Sequence, residues 1–142
     1  MWPTKQGTDI GNPFEKRHWR SNHAIPSLPA ITWYNFKSKA WSPARVSFTA
    51  YPADNFVFTT KSMPSKFAFL GSNDRSCNEN SPWVRLCKEL FKKPVSSFNE
   101  TRSCDVDRAK IRNRKFRCLA LRIIATHNTN TVRFSNLRIW VF

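Results

Sequence analysis

Apolar and polar residues alternate through most of the chain, and a helical period is weak throughout. Ile31-Thr32-Trp33-Tyr34-Asn35-Phe36, Arg45-Val46-Ser47-Phe48-Thr49 and Lys66-Phe67-Ala68-Phe69-Leu70 are short β-rich segments with Pro, Asn and Ser between them, the pattern of strands in an all-β domain. The third runs into Gly71-Ser72-Asn73-Asp74, a turn composition that stops a strand and opens a loop. Trp83 to Leu90 and Thr101 to Val106 read as two arms of a long hairpin, with Lys92-Lys93-Pro94 and Ser96-Ser97 in the polar loop between them. Two strong strands close the chain, Phe116 to Thr126 and Val132 to Phe142, joined by His127 to Thr131. In the last, Val132 and Phe134 are in phase, whereas Leu137, Ile139 and Val141 are one residue out. A bulge at Ser135-Asn136 restores one continuous buried face. Strands that follow one another without helical partners pack as two sheets face to face or as a closed barrel.

The first thirty residues differ. Pro3, Pro13, Pro26 and Pro29 fall among scattered charges with little alternation, and the segment reads as irregular. At 142 residues the chain has the size of one domain. The division expected is an irregular segment over 1–16 and one β domain over 17–142.

Charge narrows the partners. Twenty-four Lys and Arg stand against nine Asp and Glu, a formal +15, so the surface should meet an anion: a sulfated glycan, an acidic phospholipid or a nucleic acid. Three glycines, Gly7, Gly11 and Gly71, are too few for a dinucleotide fingerprint or a phosphate-cradling loop. No run reaches the ~18–20 apolar residues of a membrane-spanning helix, and Met1 to Gln6 lacks the apolar core of a signal peptide.

Cys77, Cys87, Cys104 and Cys118 are separated by nine, sixteen and thirteen residues, with no CxxC or CxH pair to place two zinc ligands on one turn. The even count suits two disulfides and an oxidising compartment, the exterior or the secretory lumen; the alternative is four reduced, buried thiols. Four cysteines allow three pairings. The hairpin would set Cys87 opposite Cys104 and leave Cys77 with Cys118. Asn99-Glu100-Thr101 is the one glycosylation sequon and suits a secreted loop.

Several segments, in order, resemble one family. His18-Trp19-Arg20-Ser21 is like its Trp-x-Ser, Pro29 to Phe36 like its x-Ile-x-Phe strand, and Lys66 to Asp74 like its Phe-x-x-x-Gly-Ser-x-Asp. Trp83-Val84-Arg85-Leu86 is like its Trp-x-x-Leu, Phe116 to Ile123 like its aromatic-Arg-x-x-x-Leu-x-Ile, and Ser135 to Trp140 like its closing strand. From about Trp19 to Phe142 the chain resembles the discoidin, or coagulation factor V/VIII type C, domains, in a copy shortened at its N-terminus. The resemblance implies an all-β, jelly-roll β-sandwich of the galactose-binding-like type. It also implies a non-catalytic adhesion or recognition module, mostly extracellular, that binds glycans, acidic phospholipid headgroups or protein ligands through loops at one end.

Catalytic signals are thin. There is no Gly-x-Ser-x-Gly, no His-Glu-x-x-His, and no Cys near a His in sequence. Asp105 and Asp107 share a face and read as solvated charges. His18, His23 and His127 are too scattered for a metal site, so neither metal nor cofactor is expected. The densest feature is Arg108-Ala109-Lys110-Ile111-Arg112-Asn113-Arg114-Lys115-Phe116-Arg117, six basic residues in ten. On a loop before a strand, Arg108, Lys110, Arg112, Arg114 and Lys115 would meet phosphates or sulfates, with Arg offering forked donors that Lys lacks; the alternative is a solvated loop. Trp19, Trp33, Trp83 and Trp140 fall in or near strands and read as core. Trp41, between Lys39 and Pro43, reads as an exposed loop aromatic and a further candidate for ligand contact. The expected function is recognition of a glycan, glycosaminoglycan or acidic phospholipid surface. The alternatives are nucleic-acid binding, motivated by charge alone, and a structural part of a larger extracellular protein.

Overall fold

A computed structural model describes residues 8–11, 18–20, 30–37, 39–50, 55–127 and 132–142. Among them are strands β1 (Thr8–Gly11), β2 (His18–Arg20), β3 (Ala30–Asn35) and β4 (Pro43–Thr49), then helix α1 (Phe56–Lys61) and strands β5 (Pro64–Ser72), β6 (Val84–Leu90) and β7 (Arg102–Asp105). Helix α2 (Arg108–Ile111) and strands β8 (Cys118–Thr126) and β9 (Arg133–Val141) complete the order. One antiparallel sheet runs β1-β9-β4-β7, with β2 also on β9; the other runs β3-β8-β5-β6. Strands β1 and β2 lie within the thirty residues that read as irregular. At four and three residues they are too short to show a period.

Alternation dictates the core. Val46 and Phe48 of β4 and Phe134, Ile139 and Val141 of β9 meet Phe67 and Phe69 of β5 and Leu119, Leu121 and Ile123 of β8, all buried. The Phe48 ring contacts Phe67 across the sheets at 5.0 Å and Phe134 beside it at 5.1 Å. The bulge falls where the sequence places it. Ser47 pairs with Arg138 and Thr49 with Ser135, so one strand spends an extra residue, and Asn136 takes a φ of 54°. Asn tolerates that left-handed geometry better than most residues, and the shift keeps Phe134, Leu137 and Ile139 on one buried face.

Four expectations change. Strands β6 and β7 are not a hairpin: β6 is the outer strand of one sheet and β7 of the other. They still lie side by side, and the Cys87–Cys104 disulfide joins them with Cα atoms 6.0 Å apart; the second bridge is Cys77–Cys118. Gly71 is inside β5 rather than in a turn. A Cβ there would sit 2.7 Å from Cγ of Phe116, so glycine is what lets that ring lie on the strand. Two helices interrupt the strands, each of six residues or fewer and too brief for a 3.6 period to register. Lastly, Trp33 is exposed, and Trp83 and Trp140 are half-buried on outer faces; Phe36, in the opposite phase to Trp33, packs against the core. The side chain of Trp19 lies outside the described residues.

One end of the sandwich is closed by a buried arginine. Arg102 of β7 is 1% exposed. Its Nη1 donates to the Pro64 carbonyl at 2.8 Å and to His127 Nε2 at 2.7 Å, and its Nη2 donates to the Lys93 carbonyl at 2.6 Å. The guanidinium lies 4.4 Å over the Phe91 ring. Burial lowers the Arg102 pKa to about 10, partly offset by Glu100. Because guanidinium only donates, Nε2 of His127 must accept, which fixes a neutral ring protonated at Nδ1. Burial first, and the Arg102 charge second, hold the His127 pKa below its usual value.

The sign follows by linkage. The unfolded chain binds this proton more readily, so the His127 contribution to stability is full above about pH 6.5. It is lost as pH falls through that value and levels off below the lowered folded pKa. Urea midpoints at pH 7.5 and 5.5 should therefore converge in His127→Gln relative to the parent chain; an unchanged difference would remove His127 as the source.

Candidate functional site

Three connections meet at the other end, where Asn35 and Ser72 both pair with Cys118 and Gly71 pairs with Val84. They are 36–42 between β3 and β4, 73–83 between β5 and β6, and 106–117 between β7 and β8. Together they carry nine Lys and Arg against three Asp and Glu. Among the described residues of the connections at the Arg102 end, 55–63 and 91–101 carry three Lys and Arg against one Glu. Of the two sets of connections, the first is therefore the more cationic.

The basic run is built rather than loose. Asp107 caps α2, its Oδ1 accepting from the Ala109 and Lys110 amides at 3.0 and 3.4 Å, which satisfies donors that open a helix. Thus 108–111 is a helical turn, not the loop expected. Ile111 drives into the core, and the chain then reverses through Arg112 and Asn113, with φ of 53° and 56°. Arg108 Nε donates to Asn113 Oδ1 across that reversal. Asn73 holds the far side, Nδ2 donating to the Lys115 carbonyl and Oδ1 accepting from the Arg117 amide, both at 3.0 Å. Phe116 and Trp41 exchange backbone hydrogen bonds at 2.9 and 2.7 Å, and Cys77–Cys118 anchors the 73–83 loop beside them. On this frame Arg108, Lys110, Arg112, Arg114 and Lys115 are exposed. Two lean on aromatics: Arg108 lies 4.8 Å over Phe142 and Arg114 5.3 Å over Phe116, favourable cation–π positions.

Trp41 corrects an expectation. Its ring is half-buried, edge-on to Phe36 at 6.2 Å and packed against the core, with the Lys39 ammonium 4.0 Å above it. It supports the layer and is not an exposed platform. Its bridge to Phe116 brings Lys37 and Lys39 beside the basic run, and Asn35 Nδ2 donates to the Arg75 carbonyl at 3.0 Å to bring in a third cation. Neither Lys37 nor Lys39 stands out in the sequence as part of a site. The pairing that recruits them spans 75 positions and leaves no local signal.

The carboxylates have structural duties. Asp107 is the helix cap, and Asp105 pairs with Arg45 at 3.6 Å on the sheet. Among the described residues no cluster of three or more His, Cys, Asp or Glu could hold a metal ion. No helix there is long and apolar enough to cross a membrane. Asn99 is exposed, in the connection at the Arg102 end.

No family model matches the sequence, and no curated protein is similar to it. Solved structures are similar in fold. The family 32 carbohydrate-binding module of C. perfringens NanJ, solved with galactose, superposes with a TM-score of 0.59 at 11% identity, over 87% of this chain and 75% of that one. The CBM32-1 and CBM32-2 domains of Clostridium perfringens ZmpB, solved with GalNAc, give 0.62 at 8% identity, over 88% of this chain and 28% of that one. The family 32 module of Streptococcus pneumoniae EndoD gives 0.54 at 12% identity, over 91% and 80%. The chain thus has the galactose-binding-like, jelly-roll β-sandwich fold that the family 32 carbohydrate-binding modules share.

Proposed function

We propose that the protein is a non-catalytic recognition module for anionic glycans, bound through the loop layer formed by 36–42, 73–83 and 106–117. The observation that carries this reading is the layer itself: the backbone that bears the cations is held by Asn73, Asp107, the Trp41–Phe116 bridge and Cys77–Cys118, so that the loops need little ordering on binding. Arg112 and Arg114 supply planar, forked donors suited to sulfate and carboxylate. The galactose and GalNAc in the solved relatives support a sugar ligand, and two disulfides support an extracellular or secretory setting. Acidic phospholipid or nucleic acid would meet the same charges, and nothing beyond charge favours either.

Heparin chromatography tests the site. Arg112→Ala/Arg114→Ala/Lys115→Ala should elute at clearly lower salt than Lys61→Ala/Lys92→Ala/Lys93→Ala, which removes the same charge from the opposite end. At up to about 1 kcal/mol per exposed contact, the first variant should lose roughly ten- to hundredfold in affinity. Equal shifts would reduce the layer to bulk charge and overturn the assignment.

A further inference from the structure

The outer face of the β3-β8-β5-β6 sheet holds a depression of about 760 Å³ that meets the loop layer only at Trp83. An antiparallel sheet with one wet face alternates apolar and polar residues. Here Ala68, Leu70 and Ala120 face outward and join Ile31 and Trp83 in a second apolar cluster, separate from the core. Trp33 and Leu90 border that face, 38% and 62% exposed, one on each outer strand. The floor is low because Ala68 stands between Arg122 and Lys88; Ala68, Leu70 and Ala120 are themselves at most 4% exposed, so the accessible apolar surface of this face belongs to Trp33, Trp83 and Leu90.

The rim is cationic. Lys66, Arg85, Lys88 and Arg122 surround the depression against a single carboxylate, Glu89, and none of the four is ion-paired among the described residues. Exposed apolar surface rimmed by polar groups marks an interaction site. Sugar hydroxyls need acceptors as well as donors, and this face offers one carboxylate among cations and hydrocarbon. A second copy of the chain would bring its own +15 against the rim. Apolar side chains for this surface and carboxylates for the rim belong together on one kind of occupant. We infer that this face docks an acidic, amphipathic polypeptide segment, from another protein or domain, its apolar side chains against Trp33, Trp83 and Leu90 and its carboxylates on the rim.

A synthetic peptide of about twelve alternating Leu and Glu, titrated into the full chain with tryptophan emission as readout, tests this. It should bind at least roughly tenfold tighter than a peptide of equal charge with Ser in place of Leu. Arg85→Glu/Lys88→Glu/Arg122→Glu should weaken it by roughly tenfold or more, and Trp33→Ser/Leu90→Ser should do so without changing charge. Arg112→Ala/Arg114→Ala/Lys115→Ala should leave it within about twofold. Equal binding of the Leu and Ser peptides, or loss only in the loop-layer variant, would overturn the proposal. So would a heparin oligosaccharide that binds the parent chain and is lost with the rim reversal alone, or concentration-dependent self-association abolished by Trp33→Ser/Leu90→Ser.

Discussion

Arg102→Ala is expected to cost about 3–5 kcal/mol of unfolding free energy, on the order of 10–15 °C in Tm for a domain of this size. The loss has three parts. The Pro64 and Lys93 carbonyls forfeit a charged donor, His127 Nε2 is left without its partner, and a void opens where the guanidinium covered Phe91. Each buried acceptor left unpaired costs about 1–3 kcal/mol, and partial collapse recovers some of the sum. Arg102→Lys should be almost as damaging, because an ammonium keeps the charge but cannot span three acceptors with a planar fork. Urea unfolding of the two variants would decide it. A loss under about 1 kcal/mol in both would show that Arg102 does not hold this end together.

Removing Cys77–Cys118 should cost about 4 kcal/mol, since the bridge closes a separation of 41 residues and the chain-entropy account scales with loop length. Removing Cys87–Cys104, with a separation of 17, should cost about 3 kcal/mol by the same account. The two pairs differ in what they support. Cys77–Cys118 ties the 73–83 loop to the start of β8, next to the Asn73 contacts that position Lys115 and Arg117. Cys77→Ser/Cys118→Ser should therefore weaken heparin retention at a temperature where the chain is still folded, while Cys87→Ser/Cys104→Ser should not. Identical retention in the two variants would separate that bridge from the loop layer.

Much of the fold was legible in the sequence because it rests on period-two alternation. The segments from Ile31, Arg45, Lys66, Trp83 and Thr101, and the two closing strands, all match strands, and the phase change in β9 located its bulge. The hairpin reading failed for a physical reason: β6 and β7 are adjacent in both arrangements, and sequence shows neighbours but not whether they share a ladder or face across a sandwich. The cysteine pairing survived because it needed only adjacency. Trp33 was misread because Ile31 and Trp33 alternate as well as Tyr34 and Phe36 do, so hydrophobicity could not choose the inward phase. The basic run was visible as composition, but its frame was not. Asn73, Lys37 and Lys39 reach it through contacts 40 or more positions away, and Arg102 looks like any surface cation until its three acceptors converge.

The link between β6 and β7 has a mechanical consequence. Both are outer strands, each bonded to one neighbour, and the covalent link joins the two sheets along that flank. The sandwich then resembles a book with its spine sewn on one side. Breathing motions that part the sheets must pivot about Cys87–Cys104 and gape at the opposite margin, the side of β3 in one sheet and of β1 and β2 in the other. Partial opening is thereby steered away from the β6 flank of the outer-face depression, and the least protected amides should belong to the chain's earliest strands.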